Sequence, residues 1–348
     1  AEEGPDREVG AADAPVERPN APADLAYRLR VSVDRPRAEW EVFVDAQDGA
    51  VREYWNDIRH AASCGEHASL PHLPYVPTAP GFGATVVALV HDGLEPWQSA
   101  VATPLPDCAF LVAGATYVSD ASGAFSFGGA SPASVQSDLD GPWITTFNQT
   151  VGSAQAFYST VALSGALNVV WDDSVSSQSE RDAFFFGTRA RNRVLENNPL
   201  ETLFDTPLVA NVGLAGACNA YYDGVSINFG AAGGACADTA FSSTVVQHEY
   251  GHHVTATIFG AHGRFVPGHL GEGFSDLQAA MSENVSQVGK GLQGPGTFAR
   301  DLNNACRWPF QCGAGIHARG KVIGGAWWKA RQNRFASGGT LGRAAVDA

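Results

Sequence analysis

The chain has 348 residues, of which 45% are hydrophobic, enough to build the cores of two or three domains. A net charge of -14 and a pI near 5.0 argue against nucleic acid or an anionic membrane surface as a partner. No apolar stretch reaches the roughly 18 residues of a membrane span, so we expect no membrane partner.

The first 80 residues combine two linkers with one β-rich segment. Residues 1–24 are rich in Ala, Pro and acidic side chains and are predicted to be a disordered linker. Residues 25–60 alternate between apolar and polar side chains, and Asp48-Gly49 predicts a hairpin turn within them. Residues 61–80 hold four prolines without periodicity, which predicts a second, Pro-rich linker.

The rest of the chain predicts a multidomain protein in which a β-rich region precedes an α+β domain. Residues 81–150 contain short β-like runs separated by Gly and Ser, which favours a β-sandwich-like domain. The alternative is that they form the N-terminal sheet of the next domain, residues 151–348. That domain includes an amphipathic helix in SERDAFFFGTRARNRVLENN, ended by Pro199, and a helix in STVVQHEYGHHVTATIFG, closed by Gly260.

The second of these helices carries an HExxH motif. His248 and His252 are four residues apart, so they lie one turn apart on the same helix face and can bind one metal ion. Glu249 points beside such a metal and suits a general base that acts on a water. Glu272, in GEGFSD, is a candidate third ligand. Asp276 lies one turn further on, where it can hold a ligating imidazole in place.

V-x-x-HEYGHH and GEGFSD together resemble the two signature helices of the thermolysin-like and fungalysin-like zinc metallopeptidases, the gluzincins. The nineteen residues between His252 and Glu272 match the thermolysin spacing, whereas the residues of both motifs are closer to fungalysin. The resemblance covers about 180–330 and implies a thermolysin-like α+β domain with one catalytic zinc ion. It implies a secreted endopeptidase that hydrolyses protein or peptide substrates through a metal-activated water, with Glu249 as general base.

The same resemblance assigns roles to further residues. Asn219 and Ala220, in NAYY, match the edge-strand Asn-Ala pair that holds the substrate backbone. His317, in IHARG, matches a histidine that stabilises the transition state. Arg300, in FARDLNN, matches an arginine that binds the substrate carbonyl.

The β-rich segment at the start of the chain also has a counterpart in this family. The sequence V-D-A-x-x-G within 25–60 resembles the end of the family's propeptide. This implies that the segment acts as an intramolecular inhibitor, or assists folding, until the chain is cleaved within 60–80.

The chain departs from the family pattern in two places. The Tyr that the family places between the second His and the Glu is missing. His262 lies near its position, and His269 is close by. His253 points about 100° away from His252 and is interpreted as a bystander. Too few residues follow His317 for the family's helical C-terminal lobe, so we expect that lobe to be truncated. Calcium sites are implied as well, although no D-x-D-x-D-G loop is found.

Cysteine usage favours an exported protein. Six cysteines without a CxxC pair argue against a cysteine-based zinc site and indicate disulfides; the alternative is six buried thiols. Six cysteines allow 15 pairings. Proximity in sequence favours three pairs: Cys306–Cys312, Cys218–Cys236 and, as the remainder, Cys64–Cys108.

Two other functions remain open at this point. An aminopeptidase of the same clan shares HExxH and the distal Glu, but usually carries a Gly-x-Met-Glu-Asn amine-binding segment that this chain lacks. A catalytically weak, adhesin-like binding protein with a relic site is favoured by the missing Tyr and disfavoured by the intact Glu249.

Overall fold

In this computed structural model the backbone is described for residues 26–34, 37–45, 51–56, 82–127, 132–150, 158–162, 167–197, 201–308 and 311–347. Before residue 83 and after residue 333 only the backbone is described. The chain divides into two compact units, Ala1–Val76 and Pro77–Ala348. No helix in the described ranges is both long and apolar enough to cross a bilayer.

The first unit contains a three-stranded antiparallel sheet. Its strands are β1 (Ala26–Asp34), β2 (Arg37–Asp45) and β3 (Val51–Asn56), in the order β1-β2-β3. Strands β2 and β3 are antiparallel neighbours, as a hairpin requires. The predicted turn at Asp48-Gly49 and the predicted linkers at 1–24 and 61–80 lie outside the described residues.

The second unit begins with two four-stranded sheets. One has the order β12-β4-β5, with β8 also paired to β4, and the other has the order β11-β9-β6-β7. Strand β4 pairs with β12 in parallel. The bounds are β4 (Phe82–Val90), β5 (Val101–Pro104), β6 (Ala109–Val112), β7 (Ala115–Val118), β8 (Ala124–Phe127), β9 (Ala133–Ser137), β10 (Ile144–Asn148), β11 (Tyr158–Ala162) and β12 (Leu167–Trp171).

A third four-stranded sheet, the two-stranded sheet β16-β17 and four α-helices make up the rest of the described residues of this unit. The four-stranded sheet has the order β10-β13-β15-β14, with β10, β13 and β15 parallel and β14 an antiparallel edge strand. The bounds are α1 (Gln178–Asn197), β13 (Leu208–Leu214), β14 (Ala220–Tyr222), β15 (Ser226–Gly230), α2 (Ser243–Ala261), α3 (Gly268–Glu283), β16 (Gln287–Val288), β17 (Arg300–Asp301) and α4 (Ile316–Asp347). The two helices predicted from periodicity correspond to α1 and α2.

The domain division predicted after residue 150 is not supported by the contacts. Strand β10 pairs with β13, β4 pairs with β12 and β9 pairs with β11, so all three four-stranded sheets of the described residues cross the expected boundary. Side chains from both sides of it, such as Phe110 and Trp171, are fully buried in one hydrophobic core. Residues 81–150 therefore share the core of the residues that follow them, as the alternative interpretation proposed.

Polar groups at the start of α1 attach this helix to the first sheets. Asp182 accepts a hydrogen bond from the His91 backbone amide at 2.8 Å and contacts the His91 ring nitrogen Nδ1 at 2.6 Å. Arg181 donates to the Leu89 carbonyl at 3.0 Å. Because Arg181 and Asp182 are both fully buried, these bonds satisfy groups that would otherwise be costly to bury.

Helices α2, α3 and α4 approach each other closely through glycines. A Cβ on Gly251 of α2 would lie 2.7 Å from Ser275 Cα of α3. On the other side of α3, a Cβ on Gly273 would lie 2.9 Å from the Gly320 carbonyl oxygen of α4, and a Cβ on Gly320 would lie 2.9 Å from Glu272 Cβ. Only residues without a side chain allow backbones this close.

Two of the three expected disulfides are formed. Cys218 is bonded to Cys236, and Cys306 to Cys312. The expected pair of Cys64 with Cys108 is wrong, because Cys108 is a free thiol within the core of the second unit. It contacts Ser137 Oγ at 3.6 Å, and burial raises the pKa of the Cys108 thiol to about 12.

The helix contact at Gly251 can be tested by one substitution made at two positions. Gly251→Ala should destabilise the protein by about 1–3 kcal/mol, because the new Cβ collides with the α3 backbone. Gly260→Ala, on the same helix with open space around it, should stabilise the protein by up to about 1 kcal/mol through helix propensity. Urea unfolding measures both. Equal shifts of the same sign would show that α2 and α3 do not pack here.

Candidate metal centre

Two histidine rings of α2 converge on one point. His248 and His252 are one turn apart on a continuous helix, and their Nε2 atoms lie 3.1 Å from each other. His248 is only 4% exposed, whereas His252 is partly accessible. The His248 side of this site is therefore buried, and the His252 side is partly accessible to solvent.

A carboxylate of α3 completes the group. Glu272 places Oε2 at 3.3 Å from His248 Nε2 and Oε1 at 3.7 Å from His252 Nε2. Zinc bound tetrahedrally at about 2.0–2.1 Å from nitrogen and oxygen ligands separates those ligands by about 3.3–3.5 Å. Within the described ranges these three residues form the one group that could hold a metal ion. Their spacing fits a small divalent ion.

Hydrogen bonding around the group also favours a cation. The Glu272 Oε2 atom is buried, and its neighbours are two ring nitrogens, His248 Nε2 at 3.3 Å and His317 Nε2 at 3.2 Å, so its negative charge needs a protonated imidazole or a cation beside it. His248 turns its Nδ1 towards Asp276, which assigns the proton of the neutral ring to Nδ1 and leaves a lone pair on Nε2. Two lone pairs on nitrogens 3.1 Å apart would repel each other, so the point between the rings favours positive charge, either a second proton on His248 or a metal ion that displaces it.

Asp276 and Arg300 form a support behind His248. Asp276 Oδ1 lies 2.8 Å from His248 Nδ1, and the Asp276 side chain is fully buried. Arg300 of β17 donates from Nε to both carboxylate oxygens, at 2.9 and 2.8 Å, and from one terminal nitrogen to Oδ1 at 2.7 Å. The orienting function predicted for Asp276 fits these contacts.

The charges of Asp276, His248 and Arg300 shift the pKa values of Asp276 and His248. Burial alone would raise the pKa of Asp276, but His248 and Arg300 lower it to about 2. Burial would lower the pKa of His248, but hydrogen bonding to Asp276 and the Glu272 carboxylate raise it to about 9. In the metal-free protein His248 therefore keeps a second proton at neutral pH, and a metal ion must displace it.

His252 behaves in the opposite way. Burial and the positive charge of His248 lower the pKa of His252 to about 4, so its ring is neutral and has a lone pair at neutral pH.

Glu249 lies on α2 beside the group and is 5% exposed. Burial raises the pKa of Glu249, and the negative charge of Glu272 acts in the same direction. The charges of His248 and Arg300 and the backbone of Tyr222 oppose this rise. A carboxylate with a raised pKa is suited to exchanging protons near neutral pH.

His317 lies at the start of α4, on the open side of the group. Its Nε2 atom is 3.2 Å from Glu272 Oε2, and its side chain is 56% exposed. The structure thus brings this predicted residue to the metal group, where it is accessible from solvent. Its effect on a transition state remains a prediction.

The residues predicted to bind substrate lie on two elements. Ala220 begins β14, which is an edge strand as expected, and the Asn219 carbonyl accepts a hydrogen bond from the Gly230 amide at 2.9 Å. Arg300 lies behind His248, where its guanidinium binds Asp276. That contact makes Arg300 a structural partner of Asp276, and substrate binding by these three residues stays a prediction.

The histidines considered as replacements for the missing Tyr lie outside the ligand group. His262 caps the end of α2 and is exposed. His269 packs against Trp308, with 5.3 Å between ring centroids. His253 contacts Tyr222 on the side of α2 that faces β14. Sequence reasoning missed Tyr222; the signal for it was the second aromatic residue of NAYY, two positions after Ala220 along the strand.

Comparisons with known proteins leave the family of this chain open. No protein-family model matches it, and no curated protein sequence does. Among solved structures it is similar to the precursor of protealysin, a metalloproteinase from Serratia proteamaculans, with a TM-score of 0.44 and 16% identity. That likeness covers 57% of this chain and 70% of the other. At this level it carries no argument about activity.

Removing the carboxylate behind His248 should weaken metal binding. In Asp276→Asn a neutral amide replaces the charged carboxylate that accepts the hydrogen bond from His248 Nδ1. Zinc affinity should therefore fall about ten- to hundred-fold. Asp301→Asn is the matched control, because Asp301 follows Arg300 on the same strand and binds the Asn303 amide. Competition with a chromogenic chelator measures both affinities, and equal values for the two variants would contradict the proposed support.

Zinc binding should release a proton. Because the pKa of His248 is about 9 in the metal-free protein, zinc affinity should rise about tenfold per pH unit from pH 7 towards pH 9 and then level off. Calorimetry at pH 7.5 in buffers of different ionisation enthalpy counts the protons released, and about one to two per ion are expected, one from His248 and up to one from the zinc-bound water. A pH-independent affinity would show that His248 binds as an already neutral ring.

Proposed function

We propose that this chain is a zinc-dependent endopeptidase. The observation that carries the proposal is the convergence of His248, His252 and Glu272 on one point, with the buried acid Glu249 beside it. Two imidazoles and one carboxylate are a ligand set typical of catalytic zinc, which keeps a further position for water or substrate. When bound, zinc lowers the pKa of its water to about 7 and polarises a carbonyl group.

The chain's own residues supply the proton transfers. Glu249 takes a proton from the attacking water and delivers it to the leaving amine, since its carboxylate lies beside the ligand group and has a raised pKa. His317, on the accessible side of Glu272, donates a hydrogen bond to the substrate oxygen as negative charge develops there. Asp276 keeps the His248 ring oriented during turnover.

An extended peptide fits the open edge of the third sheet. Strand β14 pairs on one side with β15 and packs against α2, so a substrate could add to it by backbone hydrogen bonds. Asn219 and Ala220 stand at the start of this strand. Such binding tolerates many sequences, which suits an endopeptidase.

The strands β1 to β3 are proposed to be the end of an intramolecular inhibitory or folding-assisting propeptide, cleaved within 60–80. The proposal rests on the V-D-A-x-x-G sequence and on the β-structure of this segment as a separate unit. N-terminal sequencing of the mature protein tests it, and a mature start before residue 25 would contradict it. Export of the chain is supported by the disulfides Cys218–Cys236 and Cys306–Cys312.

Replacing the proposed base should separate metal binding from catalysis. Glu249→Gln should keep about one zinc per chain and lose casein hydrolysis by about a hundred- to ten-thousand-fold, because the amide cannot accept the proton of water. Glu196→Gln, an exposed carboxylate of α1, serves as the control and should keep full activity. Zinc analysis and casein assays, with and without a chelator, measure both.

The outcomes of this experiment discriminate between functions. Chelator-sensitive cleavage that depends on Glu249 supports the peptidase, and N-terminally blocked against free peptides then separate endopeptidase from aminopeptidase activity. Zinc binding without any cleavage favours a catalytically weak binding protein. Absence of zinc from the wild-type protein would overturn the proposal.

A further inference from the structure

His253 directly follows the second ligand histidine but faces a different part of the molecule. It lies four residues after Glu249, so the two side chains share one face of α2. That face packs against the edge strand β14. The His253 Nδ1 atom is 3.3 Å from the Tyr222 hydroxyl oxygen, and the two ring centroids are 5.6 Å apart.

Hydrogen-bond accounting gives the direction of this contact. A tyrosine hydroxyl has one proton, and that of Tyr222 is donated to the Gly224 carbonyl at 2.7 Å. A hydrogen bond between Tyr222 and His253 therefore requires His253 Nδ1–H as the donor. Two edge-to-face ring contacts fix the plane of the imidazole. The ring centroids of Phe204 and Tyr250 lie 5.5 and 5.4 Å from that of His253.

Strand β14 needs such an attachment. It has three residues and, within the part of the chain that the structure describes, pairs with β15 alone, so it is an edge strand of its sheet. Its beginning is tied down by the Cys218–Cys236 disulfide and by the Asn219 carbonyl, which accepts from Gly230. The contact between Tyr222 and His253 is the corresponding attachment at its end.

We propose that His253 latches the end of β14 to α2 and thereby positions Glu249 against the strand. Glu249 lies one turn before His253 on the face of α2 that packs against β14, so a shift of the strand changes the surroundings of the base as well as the edge offered to a peptide. The side chains of His253 and Tyr222 are in this sense positioning groups, because they act on the strand and the base through their contact with each other. The expected effect on turnover rests on the proposed peptidase function. The contact between His253 and Tyr222 does not depend on that function.

Four variants and a control test the latch. His253→Phe keeps a ring and removes the donor, Tyr222→Phe removes the acceptor, and the double variant removes both. His253→Asn keeps an N–H donor near the position of Nδ1 and should restore part of the contact. Thr257→Val is the control, because Thr257 Oγ1 is the other neighbour of Nδ1, at 3.4 Å, and belongs to α2 rather than β14.

The first measurement is hydrogen exchange of the peptide that covers residues 219–223, on the full chain. Exchange should become at least about tenfold faster in His253→Phe and Tyr222→Phe, remain slow in Thr257→Val and be intermediate in His253→Asn. Unchanged exchange in His253→Phe would overturn the latch. If His253→Phe fails to fold, unchanged exchange in Tyr222→Phe overturns the latch, because that variant loses the contact with His253 together with the bond to the Gly224 carbonyl.

The second measurement is turnover on a casein-derived peptide with zinc content determined in parallel. Each single variant should lower kcat by about ten- to hundred-fold at unchanged zinc content. The double variant should be no worse than Tyr222→Phe, because Tyr222→Phe already loses the contact with His253 together with the bond to the Gly224 carbonyl. Additive losses would overturn the latch. If the wild-type protein cleaves nothing, the proposed function fails, while the exchange data still decide whether His253 holds β14.

Discussion

The metal group depends on how closely three helices approach one another. Gly251 of α2 faces Ser275 of α3, and Gly273 of α3 faces Gly320 of α4, with no room for a side chain at any of these glycines. This packing brings Glu272 within 3.3 Å of His248. A side chain of ordinary size at the contact would move the carboxylate away from the imidazoles by more than metal coordination tolerates.

The second constraint is electrostatic. Three acids, Glu249, Glu272 and Asp276, are nearly or fully buried in a small volume. Arg300 neutralises Asp276 through three hydrogen bonds, whereas the Glu272 carboxylate has only histidine rings around it among the described residues. Burying a carboxylate that lacks a full positive charge beside it is costly. A divalent cation between His248, His252 and Glu272 would offset that cost and turn the cluster into a stable arrangement.

Local patterns allowed much of the site to be predicted. His248 and His252 share a helix face by their spacing alone, and the structure places Glu272 opposite them on the next helix. The long-range pairings could not be read in this way. The parallel pairing of β4 with β12 joins regions that were expected to be separate domains, because strand partners are chosen by packing across the whole sheet. Cys108 was assigned a partner by elimination, whereas its place in the core leaves it a free thiol.

The sequence by itself determined the helices, the candidate ligands and the two short-range disulfides, since each depends on neighbours a few to about twenty residues apart. The tertiary structure decided which groups support them. Arg300, which was predicted to bind the substrate carbonyl, forms an ion pair with Asp276. His253, which was interpreted as a bystander beside His252, contacts Tyr222 on the edge strand. The first contact joins β17 to α3 and the second joins α2 to β14, so the geometry of each follows only from how those elements pack together.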